Sequence, residues 1–252
     1  MPTEYPMSSK IAVQLYSVRS ELDRDYAGII DRIAAFGFAG VEFAGCPFGL
    51  SFEQCFKIVK DASLVVPSAH APMPSGPNRN LIFDNAKMLG CKYLVTGKWI
   101  DDFKTADAIK KSCDDFNFAA AEAAKHGLKL AIHNHWAEFE SVDGVPAYKI
   151  MLKHLSPEVL FELDTYWVKI GGQDPAAVLA ELGSRAPLVH IKDGSGVPGN
   201  FNMKAAGQGV MDFKPIFARA KHAEWLISEL DACETDMLQA IKESHDYIAG
   251  NK

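Results

Sequence analysis

Two periodicities alternate along this chain: a short continuous apolar run, then a longer segment whose apolar residues recur at helical spacing. Ile11 to Leu15 reads as a strand, and Ile29, Ile30, Ile33 and Phe36 form a helical stripe stopped by Gly37. Gly40 to Ala44 is a second strand. Its helix starts at Ser51, where Gln54 completes a capping box ahead of the stripe Phe52, Phe56 and Val59. Leu64 to His70 is a third strand ended by Pro72 and Pro74, and a helix with Ile82, Ala86 and Leu89 closes at Gly90 before the strand Tyr93 to Thr96.

The fourth helix is the clearest, with Ile109, Cys113, Phe116, Ala120 and Ala124 on one face and Lys110, Lys111, Asp114 and Glu122 on the other, stopped by Gly127. Lys129 to His133, Val159 to Leu163, Leu188 to Ile191 and Trp225 to Glu229 are the remaining strands. Between and after them come helices marked by Tyr148, Met151 and Leu152, by the N-cap Asp174 with Pro175, by Phe213, Ile216, Phe217 and Ala220, and by Leu238, Ile241, His245 and Ile248. Eight strands and eight helices in 252 residues predict an α/β fold, a (β/α)8 TIM barrel, as a single domain over residues 11–250 behind an N-terminal extension over residues 1–10. The alternative, a doubly wound open sheet, would carry a Gly-rich phosphate loop after the first strand, and Tyr16-Ser17-Val18-Arg19 is not one.

Charge and cysteine content narrow the partners. A formal charge of -6 without a dense Lys/Arg face argues against nucleic acid. Cysteines 46, 55, 91, 113 and 233 are odd in number and form no C-x-x-C pair, which reads as buried thiols in a reducing, cytoplasmic setting. The polar start and the lack of any apolar run of about eighteen residues argue against a membrane partner. A small-molecule ligand is expected, and a homo-oligomer is compatible with the sequence.

The chemistry gathers at strand ends. His133, Asp164, His190 and Glu229 are metal-ligand types, one per strand-plus-helix unit, and a closed parallel sheet brings such positions together at one end. They suit one divalent cation, manganese, magnesium, cobalt or zinc. Glu42, His70 and Lys192 end further strands and are candidates for substrate hydroxyls; His135 shares a strand side with His133, and Trp136 and Trp167 offer apolar faces to sugar C–H groups. Glu138 and Glu140 are expected on a solvated loop, with Glu138 as the alternative fourth ligand. Asp193 and Asp231 are expected to fix loops, and the glycine-rich stretch Gly194 to Gly209, with Phe201, Asn202 and Lys204, reads as a mobile lid or a solvated excursion.

Leu15-Tyr16-Ser17-Val18-Arg19, His133-Asn134-His135, Leu163-Asp164, Val189-His190-Ile191-Lys192-Asp193, Gly207 to Phe213 and Ser228-Glu229-Leu230-Asp231 together resemble the xylose isomerase-like TIM barrels, a group of sugar phosphate isomerases and epimerases. The resemblance implies a metal held by an acid on the fifth strand, Asp164, His190 and Glu229, with an imidazole, His133, standing here where the acid is usual. It further implies a metal-dependent carbohydrate isomerase or epimerase that abstracts a proton alpha to a carbonyl through an enediolate. Glu229 is the candidate base and His133 its rival. A dehydratase or lyase acting on a keto-sugar or inosose is the alternative outcome of the same first step. A repair nuclease of the same superfamily would need more zinc ligands and a basic face.

Overall fold

Alternation decides which side chains enter the barrel, because every second residue of a strand points to one face. The computed structural model describes residues 9–252, so most of the expected N-terminal extension lies outside the described residues. Eight strands form the barrel: β1 Lys10–Gln14, β2 Gly40–Glu42, β3 Ser68–His70, β4 Tyr93–Thr96, β5 Lys129–His133, β6 Leu160–Asp164, β7 Leu188–Ile191 and β8 Trp225–Ser228. They pair in parallel in the order β2-β1-β8-β7-β6-β5-β4-β3, and bridges Gly40–Val65 and Phe43–Ala69 close β2 on β3. This is the expected (β/α)8 barrel in a single domain.

The eight expected helices are Tyr26–Ala35, Phe52–Asp61, Arg79–Met88, Ala106–Lys125, Ala147–His154, Pro175–Leu182, Phe213–Arg219 and Met237–Asn251. Ser51 and Gln54 form the expected capping box, and Asp174 caps its helix by accepting from Ala176 N–H. The larger apolar core fills the space between strands and helices, while Ala12, Tyr93, Val95, Ala131, Leu188, Trp225 and Ile227 form a second, smaller cluster. Along β1, β5, β7 and β8 these small-cluster residues share strand parity with Gln14, His133, His190 and Glu229, so the polar set caps the cluster inside the barrel.

Boundaries differ where a side chain or proline intervenes. Leu15 leaves the first strand for a 3-10 turn, Leu15–Val18, because the Gln14 side chain accepts from Tyr16 N–H. The third strand shortens to Ser68–His70: Pro67 has no N–H to give the ladder, although its carbonyl accepts from Lys92 and Tyr93. The strand expected to end at Leu163 runs to Asp164, and an extra short helix, Thr165–Ile170, begins there because Asp164 Oδ1 accepts from both Tyr166 and Trp167 N–H at 3.0 Å. On the fourth helix Ala123, not Ala124, is buried. Among the described residues no helix is long and apolar enough to cross a membrane, and all five cysteines are free thiols.

Candidate functional site

Register assembles the polar end of the barrel. Gln14 lies beside Glu42, His133 beside Glu162, and Asp164 beside His190 on neighbouring strands. Asn134 extends the β5–β6 contact past the end of β5, accepting from Asp164 N–H at 3.0 Å and donating to Asp164 O at 3.2 Å, so the middle residue of His133-Asn134-His135 stands in for backbone. The result is two donor groups that share His133 and His190: His70, His133, Glu162 and His190, and His133, Asp164, His190 and Glu229.

In the first group three imidazoles meet one carboxylate oxygen. Glu162 Oε1 is 2.6 Å from His70 Nε2, 3.1 Å from His133 Nδ1 and 3.1 Å from His190 Nε2. Glu42 adds a second carboxylate, with Oε1 2.8 Å from His190 Nε2 and 3.2 Å from His70 Nε2. Gln14 donates its amide N–H to Glu42 Oε1 at 2.6 Å, and the Ser68 hydroxyl donates to Glu42 Oε2. Burial alone would depress the His70 and His190 imidazoles, but the Glu162 and Glu42 charges outweigh it, pushing His70 up to about 10 and His190 well above its ordinary value. Burial likewise works to raise Glu162, and the charges of His190 and His70 overcome it and hold the carboxyl well below the usual range.

The second group has a cation of its own. Lys192, 1% exposed, places Nζ 2.8 Å from Glu229 Oε2, 3.0 Å from Asp231 Oδ2 and 3.1 Å from Asp164 Oδ2. His190 Nδ1 also lies 2.9 Å from Glu229 Oε2. Against the opposing effect of burial, Lys192 and His190 hold the Glu229 carboxyl well below its ordinary range, and the three carboxylates hold the Lys192 ammonium well above its own. Lys192, expected to meet substrate hydroxyls, is thus committed to ion pairs.

The other expected residues gather nearby. His135 is half-buried, and burial together with the charges of His133 and Lys192 pulls its imidazole down to about 3. Trp136 and Trp167 pack at 5.2 Å between ring centroids, and Phe201 closes a trio at 6.1 and 5.7 Å. Glu140 is exposed as expected. Glu138 is not on a solvated surface: it is 2% exposed, because the turn Ala137–Phe139 folds it inward, where its Oε2 accepts from His135 N–H at 3.1 Å. Burial pushes its carboxyl up to about 8. It belongs to neither donor group.

The glycine-rich connection is fastened. Asp193 accepts backbone N–H from Gly194, Gly207, Gly209 and Met211 at 2.9 to 3.1 Å, and short strands at Asp193–Gly194, Asn202–Lys204 and Ala232–Cys233 make a small sheet. Glycine is required at 209, where a Cβ would lie 2.1 Å from Asp193 Oδ1.

Glu162 and Gln14 also belong to this polar layer, although each stands inside a strand that reads as apolar. The available signal was parity: Glu162 precedes Asp164 by two, so both point the same way, and a charge in an otherwise apolar strand needs a partner. Both donor groups fit a divalent ion in kind, and buried Glu162 Oε2 has no hydrogen-bond partner among the described residues.

The profile of the family described as xylose isomerase-like TIM barrel matches residues 30–249. Among solved structures, a sugar phosphate isomerase/epimerase from Parabacteroides distasonis is 27% identical, with a TM-score of 0.81 over 96% of this chain and 98% of that one. A probable 3-DHS dehydratase, AsbF, from Bacillus anthracis is 14% identical with a TM-score of 0.76, covering 96% of this chain and 100% of the other. The IOLI protein, solved with a bound zinc atom, is 16% identical with a TM-score of 0.73 over 96% and 97% of the two chains. The last two share the fold. No functionally curated protein matches the chain by sequence.

Proposed function

The chain belongs to the xylose isomerase-like TIM barrel family, and on that premise we propose that it is a carbohydrate isomerase or epimerase, dependent on one divalent ion, that removes the proton alpha to a carbonyl of a small sugar derivative. The observation that carries the proposal is the buried layer of imidazoles and carboxylates at the C-terminal ends of the strands, where barrels of this kind do their chemistry. The 27% identical sugar phosphate isomerase/epimerase supports the same reaction class.

The ion would be held through His133 and His190, which both donor groups contain, completed by Asp164 and Glu229 or by His70 and Glu162. When bound it supplies polarisation of a substrate carbonyl, which acidifies the neighbouring C–H. Glu229, ionised beside Lys192, accepts that proton, with His133 as the rival base. The Lys192 ammonium keeps Glu229 ionised, and Trp136 with Trp167 packs against sugar C–H groups. Returning the proton to either carbon gives the isomer or epimer; expelling a β-leaving group instead gives the dehydratase outcome.

The test is incubation of metal-loaded protein in deuterated water with ketoses, aldoses and 3-keto sugars. Deuterium at the alpha carbon of an isomerised product is expected. An unsaturated product would reassign the chain to the lyases, and turnover without exchange would remove the proton-transfer mechanism.

A further inference from the structure

The proposed reading requires a divalent ion but leaves two donor groups to hold it. We propose that the ion binds in the deeper group, through His70, His133, Glu162 and His190 with Glu42 as a fifth donor, while the Lys192 ammonium serves as the cation between Asp164 and Glu229. The inference rests on the metal dependence of that reading and not on its reaction.

Convergence is the first argument. Neighbouring donors of the deeper group are separated by 2.6, 3.1, 3.1, 2.8 and 3.2 Å. Donors at right angles around one ion, each about 2.1 Å from it, lie about 3.0 Å apart. Hydrogen bonding alone would be better served by spreading the three imidazoles over both oxygens of Glu162, yet all three face Oε1 while buried Oε2 has no partner. Glu42 Oε1 and Glu162 Oε1 both lie within 3.2 Å of His70 Nε2 and of His190 Nε2, so the two carboxylates converge on the same pair of nitrogens. The three imidazole centroids lie 4.9, 5.0 and 5.9 Å apart.

The surroundings supply the second argument. A ligating imidazole ordinarily gives its other ring nitrogen to a carboxylate, and His190 Nδ1 lies 2.9 Å from Glu229 Oε2 while Nε2 faces the deeper group. Glu42 is oriented by Gln14 and Ser68 in the same way. By contrast, Asp164 Oδ1 is spent on capping Thr165–Ile170, and Oδ2 faces the lysine, so an ion in the outer group would have to share its carboxylates with an ammonium already among them. His70 is only partly buried and lines a cavity of about 500 Å³ with Phe52, Met73 and Ile82.

Three imidazoles and two carboxylates select manganese, iron, cobalt, nickel or zinc over magnesium, which prefers oxygen donors. Chelator-stripped full-length protein is titrated with Co(II), and stoichiometry and affinity are read by elemental analysis and calorimetry. We expect one equivalent per chain in the unmodified protein. In Glu162→Gln and His70→Gln affinity should fall by more than about 100-fold, beyond the loss typical of an outer hydrogen-bonding partner, while Asp164→Asn should stay within about tenfold. Because a variant can fail to fold, pulsed EPR on the unmodified Mn(II) protein provides a second measurement, with three imidazole nitrogens expected. Loss of binding in Asp164→Asn with retention in His70→Gln, two or fewer imidazoles on the ion, or no binding by the unmodified protein would each overturn the assignment. Binding at the deeper group without alpha-hydrogen exchange would overturn only the reaction.

Discussion

His133 and Glu162 lie side by side on β5 and β6, with Nδ1 3.1 Å from Oε1. The family resemblance implies a carboxylate at position 133; here the carboxylate stands one strand over at the same level of the barrel. Negative charge is therefore present in this layer although position 133 is an imidazole, which puts nitrogen where the resemblance leads one to expect oxygen.

Replacing Lys192 by Met should be among the most destabilising single changes, because it leaves Asp164, Glu229 and Asp231 facing one another without their ammonium. Breaking a buried pair in this way costs roughly 3–5 kcal/mol. Glu229 is held below its ordinary range in the folded chain, so its stabilisation is present above its unfolded value and lost as pH falls through the folded one. The variant's deficit in urea unfolding should accordingly be largest near neutrality and shrink toward acid; a deficit independent of pH would assign the loss to packing alone.

Glu138 gives the opposite sign. Burial raises its carboxyl to about 8, so the folded chain keeps a proton that the unfolded chain has released, and stability falls as pH rises from the ordinary Glu range to about 8. Glu138→Gln should flatten that slope by on the order of 1 kcal/mol per pH unit. Thermal melts across this window check it, and an unchanged slope would mean that Glu138 titrates normally.

Glu229→Gln keeps size and removes basicity. Turnover of an identified substrate should fall by about 10²-fold or more if Glu229 takes the alpha proton. The comparison is His133→Gln under saturating metal; equal exchange by the Glu229 variant and the unmodified chain would move the base to His133.

Asp193 holds four backbone N–H groups of the connection between β7 and the helix Phe213–Arg219. Asp193→Ala should free the segment around residues 195–208, seen as faster limited proteolysis there while far-ultraviolet dichroism stays unchanged. Cleavage at the unmodified rate would show that the small sheet alone fastens it.

Local pattern determined much of this molecule. Apolar runs and helical stripes predicted the barrel, because burial on both faces of a parallel strand and on one face of a helix leaves a mark at each position. Caps such as Ser51 and Asp174 were equally legible, since their partners lie within three residues. Strand ends likewise marked His133, Asp164, His190 and Glu229 as neighbours in space.

What tertiary structure alone decided is which groups face each other within that layer. Glu162 reads as one polar residue in a buried strand, and its partner His70 lies 92 positions away, as Glu42 and His190 lie 148 apart. Nor does spacing reveal that Lys192 reaches back among Asp164, Glu229 and Asp231. Strand periodicity fixes the side on which a residue emerges, whereas the partner it meets depends on barrel closure and register, which bring distant strands to the same level.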